Sequence, residues 1–407
     1  MLVKKNILIV TSVFPPEPVT SANLNYDLAV RLSESYNVTV IHPRPTRPAG
    51  KLFTEGDKAV TGAFTVIQVS SYTHPESEFI GRMRESISFG RICARYISQH
   101  RNEIDFVYNC SWQLFGYYLV AKACVKSGIP YMIPIQDVYP ETIFTGRHFP
   151  KAVEAIGTAL LGPYDRYYLK NASVIRTISE EMKSYLTSTR HLDPEKFLVV
   201  NNWQDDENYN SLETERTPEG KKSFVYVGSI NAHSNAELIV RAFINARLDN
   251  AELNIYGGGA YKERCQAVVA ESGVENVSFS FVDRKEVPAV QARADVLVLA
   301  LPKGNGTISL PSKLTSYMLS GRPVLASVDE DSTTAAYIRK SGSGLVVGPD
   351  DIQAMADAFR RLCEMSSEQL EEMGRNSREF ALKNLTRAVN LPKVVSAVEN
   401  TLKKDKE

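Results

Sequence analysis

One stretch in the second half of the chain combines residue types that bind phosphate. From Gly304 a glycine-containing loop runs into a predicted helix, which begins at Pro311 or Ser312 and ends at Gly321. The first N–H groups of a helix have no partner within it, so they face the loop and attract an anion there. The pattern therefore predicts a phosphate site that includes Ser309 and Ser312.

Lys313 brings a positive charge to the same helix start. At about 100° per residue, Lys313, Ser316 and Ser320 share one face of the helix, while Leu314 and Met318 point elsewhere. A lysine and hydroxyls beside an anion site are groups that can hold a diphosphate. The alternative is an ordinary amphipathic helix with a solvated lysine, and spacing alone does not separate the two.

A second loop of this half offers backbone to a ligand. Gly228 and Ser229 follow an apolar run, and a position without a side chain lets a phosphate or sugar approach closely. Residues 257–259 are three glycines in the position of a dinucleotide fingerprint, but Lys262 stands where that motif needs its third glycine. We therefore interpret the three glycines as a tight contact between a helix and its strand.

Two carboxylates in the first half follow an apolar strand. Asp137 and Glu141 come directly after the run 131–135, at the predicted carboxyl end of that strand. A carboxylate there can act as a general base or orient a hydroxyl. The alternative is that Asp137 caps a helix. His42 and His74 are isolated in sequence and are predicted to be structural.

The sequence predicts no metal site. Five cysteines are scattered without a C-x-x-C pair, which argues against a disulfide framework or a thiolate site and favours a reducing, cytoplasmic compartment. Residues 329–331 have the D-x-D form that can hold a divalent cation, but we interpret them as an exposed turn.

Length, composition and charge exclude several classes of protein. The 407 residues, 43% hydrophobic and 23% charged, are typical of a globular chain with two or three domains. No apolar run approaches the roughly 20 residues of a membrane span, and the apolar start is interpreted as a first strand. Residues 1–200 hold 22 Lys+Arg against 18 Asp+Glu, and the remainder 25 against 29. Neither half indicates nucleic-acid binding.

Strand and helix patterns alternate along the first 200 residues. Leu24, Leu28 and Leu32 recur at helical spacing, with Thr20 or Ser21 as the predicted N-cap. Alternation of this kind predicts a doubly wound parallel sheet. The predicted strands are residues 6–13, 37–42, 105–108, 131–135 and 173–177.

The pattern restarts after a polar segment, residues 201–222, which is predicted to be a linker. Residues 223–384 predict a second doubly wound domain, and the helices at about 385–407 could pack on the first domain, residues 1–200. The fold class is therefore α/β, with two doubly wound parallel-sheet Rossmann-like domains facing a central cleft. Their ligands are expected at the carboxyl ends of the strands. The strands of the second domain are predicted at 223–227, 252–256, 277–281, 296–300, 324–327 and 345–347.

The ordered set of motifs resembles the retaining glycosyltransferases of GT-B architecture, namely family 4 (glycosyl transferase group 1) and its surface-polysaccharide branch. The resemblance covers nearly the whole chain. The motifs are Asn6-Ile7-Leu8-Ile9-Val10 with Phe14-Pro15-Pro16-Glu17, the D-x-x-P-E loop from Asp137 to Glu141, Asn202-Trp203-Gln204-Asp205, Val227-Gly228-Ser229, and Pro311-Ser312-Lys313-Leu314 through Gly321-Arg322-Pro323-Val324.

Two places depart from the family pattern. The family commonly has two glutamates eight residues apart around the phosphate-site helix, the second gripping the ribose, and here those positions are Ile308 and Ser316. The loop after Glu17 has Val19 and Thr20 in place of a glycine pair. Branches of the family with S-K-L at this helix dispense with the glutamates, so the resemblance does not imply loss of activity.

The resemblance implies transfer of a sugar from a nucleotide sugar, with UDP favoured, to an acceptor hydroxyl. Configuration at the anomeric carbon is retained, and neither metal nor cofactor is required. The implied sites are the following: the donor diphosphate against Gly228, Ser229, Arg284, Ser309, Ser312 and Lys313; the ribose at Ser316; catalysis by Asp137 and Glu141; and the acceptor side at Pro16, Glu17 and Thr20.

The implied partners are the nucleotide sugar and a saccharide or lipid-linked saccharide, in capsule, O-antigen, exopolysaccharide or lipopolysaccharide assembly. The expected location is cytoplasmic and peripheral at the inner membrane face, with no nucleic-acid partner. Two alternatives stay open. One is a nucleotide-sugar 2-epimerase on the same architecture, and the other is a catalytically silent partner subunit, which the missing glutamates suggest.

Overall fold

The chain folds into two compact units. Unit 1 comprises Met1–Asn202 and Asn390–Glu407, and unit 2 comprises Trp203–Val389. Each unit is built on its own parallel sheet. The structure is a computed structural model, and the residues it describes are 4–47, 53, 62–74, 79–144, 150–204, 206–210, 220–231, 234–304 and 311–404.

Unit 1 contains a seven-stranded parallel sheet. Its strands are β1 Asn6–Thr11, β2 Asn37–Pro43, β3 Thr65–Val69, β4 Phe106–Cys110, β5 Tyr131–Ile135, β6 Val174–Thr177 and β7 Phe197–Val199, in the order β3-β2-β1-β4-β5-β6-β7. The helices between them are α1 Thr20–Ser33, α2 Phe79–Gln99, α3 Phe115–Ser127, α4 Glu141–Phe144, α5 Lys151–Asn171 and α6 Glu180–Arg190.

Unit 2 contains a six-stranded parallel sheet. Its strands are β8 Lys222–Val227, β9 Ala251–Tyr256, β10 Val277–Ser280, β11 Val296–Ala300, β12 Val324–Ser327 and β13 Gly344–Val347, in the order β10-β9-β8-β11-β12-β13. The remaining helices are α7 Glu207–Asn210, α8 Ala236–Ala246, α9 Lys262–Ser272, α10 Val287–Arg293, α11 Ser312–Leu319, α12 Thr333–Ser341, α13 Ile352–Glu364, α14 Ser367–Asn384 and α15 Arg387–Lys404, the last belonging mostly to unit 1.

The predicted doubly wound α/β fold is confirmed in both units. Strands β4, β5 and β11 are buried along their whole length, which explains why each reads as a continuous apolar run. The strand order reverses between β1 and β4 and between β8 and β11. Loops that follow strands at such a reversal leave a crevice where α/β sheets bind ligands. Gly228 follows β8, and the chain after β11 leads to the predicted phosphate site at the start of α11. These two sequence motifs of unit 2 therefore lie where its strand order reverses.

The structure differs from the sequence expectations in three places. Strands β3 and β7, which lie at sheet edges and lack fully buried residues, were not predicted, whereas the similar edge strands β10 and β13 were. Helix α1 is preceded by Val19 without a side-chain cap, instead of being capped by Thr20 or Ser21. The described part of the predicted linker is folded into unit 2, since Trp203 and Tyr209 are buried there and α7 lies between residues 207 and 210.

Three aromatic rings fill the core of unit 2 beneath α8 and α13. Phe359 meets Phe224 at a centroid distance of 4.9 Å and Phe243 at 5.3 Å, in both cases edge to face. All three side chains are almost fully buried. Edge-to-face packing adds to the free energy gained from burying the rings.

We expect Phe359→Ala to lower the free energy of unfolding of unit 2 by about 3–5 kcal/mol, because it leaves a cavity among three rings. Denaturant unfolding in a Trp112→Phe background measures this, since Trp203 of unit 2 is then the remaining tryptophan. Phe281→Ala is the control, as Phe281 is 83% exposed. Equal effects of the two changes would contradict this account of the core.

Candidate functional site

A close contact between a loop and a lysine shapes the site in unit 2. Gly228 has φ +148°, and a Cβ built there would lie 2.1 Å from Cε of Lys313. The strand end before it is fixed by Tyr317, whose hydroxyl accepts a hydrogen bond from the Val227 N–H at 2.9 Å. Glycine is favoured at position 228 because other residues rarely adopt this φ, and a side chain there would also displace the end of the lysine.

Lys313 is a half-buried cation. Its Nζ donates a hydrogen bond to the hydroxyl of Tyr226 and lies 4.4 Å from the centroid of that ring. The Tyr226 hydroxyl donates in turn to the backbone oxygen of Ser229 at 2.7 Å. Within the described ranges Lys313 has no acidic partner, and burial lowers its pKa to about 8. An anion that reached this loop would supply the missing negative charge.

The start of α11 adds backbone donors beside this lysine. The helix begins after Pro311, and this N-cap residue has no side-chain hydrogen bond to offer the first N–H groups. Ser312 is exposed, and its carbonyl oxygen accepts from Nε2 of Gln204 at 3.0 Å. Two predicted positions, Ser309 and Ile308, lie outside the described residues. The described part of the site therefore joins Gly228, Ser229, Ser312 and Lys313, and their contact with a diphosphate stays a prediction.

Ser316 and Ser320 take a different position from the one predicted. Ser316 Oγ donates to the Lys313 carbonyl at 2.8 Å and accepts from Nε2 of Gln291 at 3.2 Å. Ser320 Oγ donates to Oε1 of the same glutamine at 2.8 Å. Both hydroxyls are buried against α10 and do not line the anion site. A ribose contact of Ser316 stays a prediction, and it would require this network to rearrange.

Sequence reasoning missed three tyrosines of unit 2. Tyr226 and Tyr317 hold the strand end and the lysine, as described above. Burial raises the pKa of Tyr209 to about 12, partly offset by a hydrogen bond with Ser316 and the charge of Arg284. Arg284 itself is exposed, so its predicted contact with a diphosphate stays a prediction. Tyr226 could have been suspected from its position two residues before Gly228.

Two of the three glycines 257–259, Gly257 and Gly259, serve the packing of loops. A Cβ on Gly257 would lie 2.0 Å from the carbonyl oxygen of Gly228, and one on Gly259 would lie 2.3 Å from that of Ile230. These glycines let the loop after β9 lie directly against the loop after β8. Tight packing was predicted here, but the contact joins two loops and not a helix to its strand.

In unit 1, Asp137 lies at the end of β5 in a loop tied to two helices. The side-chain oxygen of the preceding Gln136 accepts from Ser21 of α1 at 2.9 Å. The carbonyl of the following Val138 accepts from the Thr142 hydroxyl of α4 at 2.7 Å. Asp137 is half-buried. The loop therefore holds this carboxylate at the carboxyl edge of the sheet, where a catalytic group was predicted.

Glu141 is held in an ion pair, and its role as a catalytic group stays a prediction. Both of its oxygens accept from Arg190, each at 2.7 Å, and Tyr185 donates to one of them at 2.8 Å. Burial alone would raise the pKa of Glu141, but these bonds lower it overall. Arg190 also binds Asp165 at 2.6 Å and the Tyr139 carbonyl at 3.0 Å. Glu141 thus anchors the loop of Asp137.

Glu17, predicted on the acceptor side, is 4% exposed. Its Oε1 accepts from the backbone N–H groups of Thr46 and Arg47 at 2.8 and 2.9 Å, which ties the loop after β1 to that after β2. Burial raises the pKa of Glu17 to about 7, although these hydrogen bonds oppose the shift. Pro16 and Thr20 beside it are half-buried. Contact of the three residues with an acceptor stays a prediction.

The described residues contain neither a cluster of metal-binding side chains nor a helix that could span a membrane. No group of three or more His, Cys, Asp or Glu side chains in the described ranges is placed to hold a metal ion. None of the helices in those ranges is long and apolar enough to cross a membrane.

Known proteins resemble the chain along most of its length. The family model "Glycosyltransferase Family 4" matches residues 21–208, and "Glycosyl transferases group 1" matches residues 210–380. "Probable glycosyltransferase WbjE" of Pseudomonas aeruginosa is 22% identical over 69% of this chain and 70% of its own. "Putative colanic acid biosynthesis glycosyl transferase WcaI" of Escherichia coli K12 is 22% identical over 75% of this chain and 77% of its own.

A solved structure shares the fold. HepE of Anabaena in complex with UDP-glucose superposes with a TM-score of 0.68 at 12% identity, over 97% of this chain and 99% of that chain. The chain belongs to the glycosyltransferases of the GT-B fold, with a family 4 region followed by a group 1 region. The predicted resemblance is confirmed, and the chain is related to enzymes of polysaccharide biosynthesis.

We expect binding of a nucleoside diphosphate to weaken as the pH rises through about 8, by up to about tenfold per pH unit. The free lysine loses its proton there, whereas a bound anion would keep Lys313 charged by raising its pKa. Calorimetry in buffers of different ionisation enthalpy measures the proton taken up. Lys313→Arg should bind without this pH dependence, because arginine stays charged. An unchanged pH profile in that variant would count against the lysine.

Arg190→Met should lower the free energy of unfolding by about 3–5 kcal/mol, because it leaves the buried carboxylates of Glu141 and Asp165 without their cation. Chemical denaturation measures the loss. Arg166→Met is the control, because Arg166 follows Asp165 in sequence and is exposed. It should change the free energy of unfolding by less than about 0.5 kcal/mol. Adding Glu141→Gln and Asp165→Asn to Arg190→Met should restore part of the stability. If it does not, charge is not the cause.

Proposed function

We propose that the chain is a retaining, metal-independent hexosyltransferase that moves a sugar from a nucleoside-diphosphate sugar to a hydroxyl of a saccharide acceptor. The observation that carries the proposal is the cation of Lys313, held beside the backbone of Gly228 with no carboxylate partner in the described ranges. A buried charge of this kind favours a ligand of opposite charge. The uncapped start of α11 points to the same class of ligand.

The donor half of the reaction follows from these groups. As the bond between the anomeric carbon and the diphosphate breaks, negative charge builds on the departing phosphate. The ammonium of Lys313 and the N–H groups at the start of α11 stabilise that charge, with Ser312 and the backbone of Gly228 and Ser229 beside them. UDP is the favoured nucleotide, a choice supported by HepE, whose structures of the same fold contain UDP and UDP-glucose.

The acceptor half is assigned to unit 1. We assign Asp137 to orient the acceptor hydroxyl and to take its proton as the new bond forms. Glu141 and Arg190 are positioning residues that hold the loop of Asp137 through their ion pair. Pro16, Glu17 and Thr20, on the loop after β1, are assigned to the acceptor side.

The acceptor we propose is a lipid-linked saccharide at the inner face of the membrane, in surface-polysaccharide assembly. Support for this choice comes from relatives, because WcaI is named for colanic acid biosynthesis. The proposed location is cytoplasmic, with peripheral contact to the membrane.

The test is release of nucleoside diphosphate from a panel of nucleotide sugars, with and without lipid-linked acceptors. Lys313→Met should lower kcat/KM by about 10²- to 10³-fold, because a donor to the leaving phosphate is lost. Asp137→Asn should lower kcat and leave the donor Kd unchanged. Lys340→Met, on an exposed lysine of the same unit, is the matched control.

Three results decide between the proposal and its alternatives. Product with the anomeric configuration of the donor, established by proton NMR, supports a retaining transferase. Conversion of the donor to an epimer without any acceptor would replace the proposal with a 2-epimerase. A silent subunit would bind the donor without turning it over. It would also keep its full effect on the activity of a partner enzyme after Asp137→Asn.

A further inference from the structure

The first three turns of α5 extend beyond the start of α3, the helix on which the rest of α5 packs. Ring contacts between α3 and α5 begin at Tyr164, which lies 5.2 Å from Phe115, the first residue of α3. Further along, Tyr118 contacts Tyr167 at 5.1 Å. The two helices run in the same direction, so residues 151–163 lie beyond the start of α3, over about 20 Å. No residue of this segment is fully buried.

The exposed face of this segment is apolar. Val153, Ile156, Leu160 and Tyr164 are 45%, 61%, 68% and 36% exposed. At about 100° per residue these four side chains form one stripe along the helix. The adjoining exposed positions 152, 155, 159 and 163 are alanine or proline, so no charge interrupts the face. Single exposed apolar residues are ordinary, but a contiguous face of three turns marks a binding surface.

The charges around this face are mostly positive. Along the same side of α5, Arg166 and Lys170 follow the apolar stripe, and both are exposed. Asp165 is buried in its ion pair with Arg190, so it does not offset them at the surface. Neighbouring α3 adds exposed Lys122 and Lys126, beside Val125, which is 42% exposed. Apolar side chains flanked by basic ones complement the headgroup region of an anionic lipid surface.

We propose that residues 151–170 of α5 form a lipid-docking face that inserts Val153, Ile156 and Leu160 into the outer part of an anionic bilayer. Arg166 and Lys170 contact the phosphates of its headgroups. Because α5 follows β5 after the loop of Asp137, its first turns lie at the carboxyl edge of the sheet. Docking therefore brings the loops assigned to the acceptor close to the lipid surface.

Flotation of the full chain with vesicles tests the proposal. The vesicles are phosphatidylcholine alone or phosphatidylcholine with phosphatidylglycerol. We expect the wild type to float with the anionic vesicles, less so at high salt. The double change Ile156→Ser with Leu160→Ser should lower the bound fraction by about tenfold or more. Arg166→Gln with Lys170→Gln should lower binding to the anionic vesicles alone.

The controls separate lipid binding from other causes. Phe281→Ser removes a side chain that is 83% exposed in unit 2 and should leave flotation unchanged. Thermal unfolding of the Ile156 and Leu160 variant should match the wild type, because both side chains are already exposed. Flotation requires neither sugar donor nor acceptor, so its outcome is independent of the proposed transfer.

Three results would overturn the proposal. The first is a wild type that binds neither kind of vesicle, and the second is a serine variant that binds as well as the wild type. The third is a wild-type dimer, seen by light scattering, that the serine changes convert to a monomer without any vesicle binding. In that case the face joins two copies of the chain.

Discussion

The half-buried ammonium group of Lys313, which has no carboxylate partner among the described residues, is the constraint on which the site of unit 2 depends. Water solvates Lys313 only in part, and the described surroundings replace that solvation with a tyrosine ring, one hydroxyl and nearby backbone. The lysine side chain lies where a Cβ on residue 228 would be, and the φ of +148° there also favours glycine. The loop after β9 packs on the backbone of the loop after β8, and Gly257 and Gly259 leave room for the carbonyl oxygens of Gly228 and Ile230. The half-buried charge and the packing of the two loops thus meet at Gly228.

Unit 1 handles buried charge in the opposite way. Glu141 and Asp165 share Arg190, so their charges are compensated within the fold, and the bonds of that arginine also reach the carbonyl of Tyr139. Among the described residues, Glu17 has no arginine or lysine side chain as a direct hydrogen-bond partner. Burial raises its pKa to about 7, so its carboxyl group is only partly ionised near neutral pH. Paired charges stabilise a loop, whereas the unpaired charge of Lys313 leaves binding energy for a ligand.

The proposed lipid docking and the proposed acceptor half of the transfer rest on different parts of unit 1 but share one edge of its sheet. The loop after β5 carries Asp137, and α5 begins shortly after that loop. An acceptor with a lipid tail would have its sugar in water and its tail in the bilayer. A helix that lies in the interface next to the catalytic loop suits a substrate of that form.

Local sequence determined most of the fold. The strands 131–135, 296–300 and 324–327 were predicted with the bounds that the structure has, because buried parallel strands have an apolar pattern of their own. The pattern is weaker at the sheet edges, where β10 and β13 were predicted but β3 and β7 were missed. The motifs around Gly228 and Lys313 were also recognised from local spacing and from the family resemblance.

Only the tertiary structure decided what each candidate side chain does. Lys313 meets Tyr226 across 87 residues, and Glu141 meets Arg190 across 49, so no local pattern could show that the first charge is unpaired and the second is compensated. Ser316 was predicted to face a ligand but binds Gln291 of a neighbouring helix. The sequence determines which groups are available at the ends of strands. Their protonation and partners depend on burial and on long-range contacts, which arise only when the chain has folded.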